Sequence, residues 1–218
     1  MNDKQETDYI KKISMGDEVL EIIIYDDQAN EIGLLRALNK KDLFNETMIK
    51  KITDWRNSNK EFFLTQFNAT SERTRQWLEN TVLSSATQMM FLIYSEGTLL
   101  GHYGFKELSN ESVLLDNAMR GERGGHPKLI EYAALALIKW LFEMFEVNEI
   151  YGYIIAKNPM AIKLNRALGF TFKEKLPLHK EIDGDETKWL MGKQGDTSQS
   201  NDYFQKIVMM RSENDVNR

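Results

Sequence analysis

Residues 120 to 128 read Arg-Gly-Glu-Arg-Gly-Gly-His-Pro-Lys, which sets three glycines and the cations Arg120, Arg123 and Lys128 at the start of a long apolar segment. Glycine lets a backbone approach a ligand closely, and a helix starting with proline points its own unpaired N–H groups and positive dipole end to the same spot. The chemistry this suits is the cradling of a pyrophosphate, with Arg120, Arg123, Gly124, Gly125, His126 and Lys128 as its candidate contacts. Further on stands Asn158-Pro-Met-Ala-Ile-Lys-Leu-Asn-Arg-Ala-Leu-Gly-Phe170. Asn158 can cap the helix that follows it, and Asn165 offers an amide that hydrogen-bonds but gives up no proton near neutral pH. Two ionisable residues complete the set. His102 lies in Leu-Gly-His-Tyr-Gly and has the one side chain that titrates near neutrality without help, which suits a general base. Asp116 ends an apolar run and can act as a base or hold an ammonium group, with Glu107 the third candidate after His102 and Asp116.

The elements that must position these residues follow from the hydrophobic pattern. Val19 to Tyr25 and Ile32 to Leu38 alternate as two strands about the turn Asp26-Asp27-Gln28-Ala29-Asn30, so the chain opens with a hairpin after polar residues 1 to 16. Asn45 caps a helix from Glu46 to Arg56 with Met48, Ile49, Ile52 and Trp55 on one face, and a second helix spans Ser71 to Leu83. Met89 to Tyr94 and Leu99 to Phe105 form a hairpin about Glu96-Gly97, and Ser112 to Ala118 extends the meander. Alternation along the middle strand puts His102 on the face opposite Tyr103. A wide apolar stripe from Leu129 to Phe142 predicts a buried helix over 128 to 145. A strand to Ala156, a helix from Met160 to Leu168 stopped by Gly169, a pair of strands across Asp183-Gly-Asp-Glu186, and a last strand from Tyr203 to Arg211 follow.

This order, together with the 120 to 128 loop and the Asn158-to-Phe170 segment, resembles the acyl-CoA-binding core of the GCN5-related N-acetyltransferase (GNAT) superfamily over residues 31 to 211. The resemblance implies an α/β (α+β) fold with a mixed, mostly antiparallel sheet of about seven strands and about four flanking helices, plus an extra N-terminal strand. It implies one domain over 17 to 211, flanked by a polar extension (1 to 16) and a polar tail (212 to 218). It implies acetyl-CoA as cofactor, held by Asn117, Ala118, Met119, Asn158, Asn165 and Arg166 besides the loop, with a backbone N–H near Ala118 or Met119 for the developing oxyanion. His102, Asp116 and Asn165 are then the candidate catalytic residues. Family members often carry a tyrosine where Asn165 stands, so here either water protonates the leaving thiolate, or Asn165 only stabilises it, or a tyrosine such as Tyr103 reaches in from elsewhere.

Asp116-Asn117 before the Arg-Gly loop, Trp55-Arg56-Asn57 and Leu100-Gly101-His102-Tyr103-Gly104 are similar to the amino-sugar acetyltransferases of surface-polysaccharide (pseudaminic-acid-type) pathways and, more distantly, to ribosomal-protein acetyltransferases. The implied acceptor is a nucleotide-linked amino sugar, its base and phosphates met by Trp55, Arg56, Asn57, Lys60, Phe63 and Tyr103. A protein N-terminus, another small amine, or a non-catalytic CoA-binding or partner-binding domain are the alternatives.

Composition trims the remaining classes. A hydrophobic content of 42% with 11% aromatics in 218 residues suffices for a full core. A net charge of −5 with scattered cations argues against a nucleic-acid binder. Without cysteine there is no disulfide framework, thiolate metal site or sulfur nucleophile, and no metal is called for. The polar start and the lack of a long apolar run leave the cytoplasm as the expected compartment, with no membrane partner and a homodimer compatible.

Overall fold

The computed structural model describes residues 3–198 and 201–212. Its order is α1 (Asp3–Met15), β1 (Glu21–Tyr25), β2 (Glu31–Ala37), α2 (Glu46–Ser58), β3 (Thr65–Gln66), α3 (Ser71–Trp77, running on as a wider turn over Leu78–Val82), β4 (Met89–Ser95), β5 (Thr98–Lys106) and β6 (Ser112–Arg120). Then come α4 (Leu129–Met144), β7 (Glu149–Ile155), α5 (Pro159–Ala167), β8 (Thr171–Asp183), β9 (Glu186–Met191) and β10 (Tyr203–Met210). One mixed sheet runs β1-β2-β4-β5-β6-β7-β10-β8-β9-β3.

Alternation along the strands builds two cores on opposite faces of the sheet. Leu35, Phe91, Ile93, Tyr103, Phe105, Val113, Leu115, Ile150, Ile154 and Ile207 turn to the face covered by α4, whose Leu129, Ala133, Leu137 and Leu141 are buried against them. Met90, Leu92 and Leu99 turn the other way, onto Met48, Ile49, Ile52 and Trp55 of α2 and Leu78 and Val82 beyond α3. Thr53 of α2 and Thr74 of α3 join those helices through a buried hydroxyl bond of 2.7 Å.

The expected fold is present with three extensions. The sheet has ten strands where about seven and an extra N-terminal strand were expected, because β9 and β3 add to the edge far from β1. Residues 1 to 16, read as a polar extension, form α1 from Asp3 on, and its Ile10 and Ile13 are fully buried in the α4-side core. Five α-helices are present among the described residues. The tail lies outside the described residues beyond Ser212.

Two features shape the centre of the sheet. The parallel pair β6 and β7 is in register only at Ser112 with Glu149, Val113 with Ile150 and Leu114 with Tyr151. Beyond that β6 runs on to Arg120 and β7 to Ile155 without pairing, so the sheet splays open over α4. At the far side, β8 pairs first with β10 and then with β9, and β9 turns back to meet β3 in the α2–α3 connection. The Trp189 N–H donates to the Leu64 carbonyl at 2.8 Å, and Arg73 pairs with Glu186 at 2.7 Å. This clasp walls one end of the sheet face opposite α4.

Candidate active site

The 120–128 loop folds around Arg120. Its guanidinium donates to the carbonyls of Gly124 (2.7 Å), Pro127 (2.9 Å) and His126 (3.2 Å). The N–H groups of Gly121 and Glu122 both donate to the Leu100 carbonyl, and Lys51 of α2 holds the Glu122 carboxylate at 2.8 Å. With carbonyls drawn inward, the N–H groups of Arg123, Gly124, Gly125 and His126 have no acceptor among the described residues, at the head of the 16-residue α4. A Cβ on Gly125, whose φ is +57°, would lie 2.5 Å from the Ser95 hydroxyl, and Gly124 has a φ of +144°. Such a row of free donors fits a pyrophosphate, and the exposed Arg123 and Lys128 stand beside it. Arg120 was expected to touch the phosphates. It is instead the strut that shapes the loop, because three carbonyls already saturate one side of its guanidinium.

At the mouth of the splay β6 carries a bulge. His102 faces Met119 and Gly104 faces Asp116, so the bulged strand spends one extra residue opposite Tyr103, and Asn117 adopts a left-handed φ of +56°. The Asn117 carbonyl accepts a 2.7 Å hydrogen bond from Nδ1 of His102. His102 is buried, 4% exposed, on the α2 side of the sheet, with the Trp55 ring 6.1 Å away centre to centre. Burial pushes its pKa down to about 4, against the smaller upward pull of the Asn117 carbonyl. Its Nδ1–H is thus committed to the backbone, and burial makes the ring a weaker base than the near-neutral one expected. Asp116 is half-exposed, paired with Lys106 at 3.0 Å and accepting from the Asn117 side chain at 3.1 Å. Glu107 accepts from the Tyr151 hydroxyl at 2.8 Å.

On the other flank, the Asn158 side chain accepts from the Ala161 N–H at 3.0 Å and so caps α5, as its position suggested. Asn165 is buried and turns its amide back onto the Ala161 carbonyl at 2.9 Å. Arg166 is exposed and lies over the Phe172 ring.

The expected acceptor wall is largely scaffold. Trp55 is 5% exposed in the α2-side core, where a Cβ on Gly121 would come within 1.9 Å of its ring. Arg56 is stacked between Phe63 (4.4 Å) and Phe67 (4.3 Å), donates to the Thr65 carbonyl at 2.9 Å, and has its other terminal nitrogen buried without a partner among the described residues. Asn57 exchanges two hydrogen bonds with Ala69, and Lys60, although exposed, reaches Asn68 at 3.0 Å. Tyr103 is in the α4-side core, its hydroxyl pKa pushed up by burial and by Asp116. Arg56, Asn57 and Lys60 brace the α2–α3 connection, bonded to Thr65, Ala69 and Asn68 within it.

The open surface beside the splay joins the candidate Asp116 to four residues outside the set expected from the sequence. Asp116, Lys106, Tyr151, Tyr153 and Lys206 share the sheet face away from α4, beyond the cover of α2. Tyr151 and Tyr153 meet edge to face at 5.9 Å, and Lys206 lies 5.7 Å over the Tyr151 ring and 3.8 Å from Glu174. The period-two pattern of Glu-Ile-Tyr-Gly-Tyr-Ile was the available signal, since it places both tyrosines opposite the buried Ile150 and Ile154.

The family profile described as "Acetyltransferase (GNAT) domain" matches residues 35–188. No curated protein sequence matches the chain. Among solved structures, the chain is similar to the Salmonella typhimurium acetyl transferase that modifies the N-terminal serine of 50S ribosomal subunit protein L7/L12, at 13% identity over 84% of this chain and 97% of that one, with a TM-score of 0.62. A GNAT-family acetyltransferase from Bacillus anthracis aligns at 15% identity over 88% and 98%, TM-score 0.59. The Campylobacter jejuni N-acetyltransferase PseH in complex with acetyl coenzyme A aligns at 18% identity over 82% and 98%, TM-score 0.50. At these identities the likeness is one of fold. Profile, splayed sheet and free N–H row agree, and the chain belongs to the GNAT acetyltransferase family as an N-acetyltransferase with acetyl-CoA as its cofactor.

Proposed function

We propose that the acceptor is the amino group of a nucleotide-linked amino sugar, acetylated by direct attack in a ternary complex. The observation that carries this reading is the groove floor beside the splay. Two tyrosine rings and charges of both signs, Lys106 with Asp116 and Lys206 with Glu174, are spaced over a face that none of the described helices covers. Aromatic faces pack on sugar rings, paired charges hydrogen-bond hydroxyls, and lysines meet phosphates. Acetyl-CoA supplies an activated acetyl group when bound. The 123–126 N–H row holds its pyrophosphate, and an N–H at Ala118 or Met119 donates to the reacting carbonyl oxygen. Asp116, at the mouth of the splay, holds the acceptor amine and takes its proton. Asn165, buried and bonded to its own helix, is no proton donor, so water protonates the leaving thiolate.

Thiol release from acetyl-CoA, measured with UDP-, dTDP- and GDP-linked amino sugars, the free amino sugars and N-terminal peptides, tests the acceptor. The nucleotide-linked sugars should turn over and the free sugars poorly. Efficient turnover of a peptide, or equal turnover of free and linked sugars, would contradict the assignment and favour an N-terminal or other small amine. Failure to release thiol with any amine would favour a binding domain.

A further inference from the structure

We propose that His102 is a positioning residue, which fixes the β6 bulge by donating its Nδ1–H to the Asn117 carbonyl and so sets the N–H that faces the reacting thioester. The inference deepens the reading above and rests on it for the role of Ala118 or Met119. Its ground is geometric. Asn117 takes a left-handed φ of +56°, which asparagine accepts more readily than most side chains but does not by itself select, so a tie across the sheet decides whether the bulge keeps it. Among the described residues the Asn117 side chain bonds the neighbouring Asp116 at 3.1 Å, and the 2.7 Å bond from His102 is the side-chain tie from the bulge to β5.

The carbonyl oxygen can only accept, so Nδ1 must carry the proton and the ring must be the Nδ1–H tautomer. What holds the ring is equally defined. From α2 the Trp55 ring packs beside it, and Trp55 is seated on Gly121, where no side chain fits. The loop that cradles the cofactor and the bulge that faces the acetyl group are thus joined through one stack: Gly121, Trp55, His102, Asn117. A base would need Nε2 open to the acceptor, whereas this ring is 4% exposed and lies under α2 beside Trp55. Desolvation favours the same neutral state.

Imidazole ¹⁵N shifts of the wild-type protein give the first test. They should show a neutral, Nδ1-protonated ring that does not titrate between about pH 5 and 8. His102→Phe fills the space without a donor and should lower kcat roughly 10²-fold, as misplacing a reacting group does, while acetyl-CoA affinity and the ascending limb of the pH–rate profile stay in place. His102→Asn, whose amide Nδ2 stands near the position of Nδ1, should recover most of the loss. A ring that titrates across that range, or a folded His102→Phe enzyme with unchanged kcat, overturns the proposal. So does loss of the ascending limb in His102→Phe, the signature of a missing base. If no acceptor of the panel turns over, the acceptor assignment fails by itself, and the tautomer measurement, which needs no acceptor, decides the clamp. The same holds if a variant fails to fold.

Discussion

Gly121 has no room for even a methyl group, since a Cβ there would penetrate the Trp55 ring at 1.9 Å. Gly121→Ala must therefore push Trp55 off its seat, and overpacking of this kind costs about 1–3 kcal/mol. Chemical denaturation should register that loss, and kcat should fall with it because Trp55 supports the His102 ring. The histidine makes a second, pH-dependent prediction. Its folded pKa of about 4 lies below the ordinary 6.5. The unfolded chain therefore binds the extra proton between those values, and stability is complete above pH 6.5 and declines as pH falls toward 4. At about 1.4 kcal/mol per unit this amounts to about 3 kcal/mol at most. Denaturation curves at pH 7 and pH 4.5 should show a smaller acid loss for His102→Phe than for the wild type, which cancels the carboxylates common to both. Equal losses would mean that the ring is protonated in the folded protein. The glycines of the loop were legible as backbone that leaves the ordinary φ range, as Gly124 and Gly125 do, whereas the role of Arg120 depends on which carbonyls the loop turns inward.

Elements with strong periodicity were legible because one buried face dictates them. The β1–β2 and β4–β5 hairpins, α2 under its Asn45 cap, α4 and α5 under its Asn158 cap all stand within a few residues of the expected bounds. What the pattern did not carry is pairing between distant segments. β3 is two residues long, and its bond to β9 rests on where the 60–70 connection lands, not on any alternation. Arg56 misled for a related reason. A cation is read as exposed, but Phe63 and Phe67 stack on both sides of this one, and burial lowers its pKa. α1 was hidden by composition, since its inward face is little more than Ile10 and Ile13 among charged residues. Those two are 0% and 1% exposed, so Ile13→Ala should cost roughly 2–5 kcal/mol, as large-to-small changes in a closed core do. Urea titration would measure it. A change below about 0.5 kcal/mol, the size of a surface substitution, would place α1 outside the cooperative domain.

At the scale of the whole molecule, the sheet does two jobs in one place. It separates β6 from β7 over the head of α4, and it leaves the opposite face bare between α2 and the β8–β9 clasp. Cofactor and acceptor would then approach the same opening from opposite faces. The element order behind the splay was legible through the resemblance to the GNAT family. The floor of the open face did not follow, because Lys106, Tyr151, Tyr153 and Lys206 come together only when β10 is inserted between β7 and β8. The central claim is that the N–H row at residues 123 to 126 is the cofactor cradle. Calorimetric titration of acetyl-CoA into the wild type and Gly124→Asp tests it directly, since aspartate sets a carboxylate against the phosphates at a φ that no side chain favours. The wild type should bind one equivalent and the variant at least about tenfold more weakly, a difference of about 1.4 kcal/mol. Equal affinity in a folded Gly124→Asp protein would put the cradle elsewhere and contradict the account.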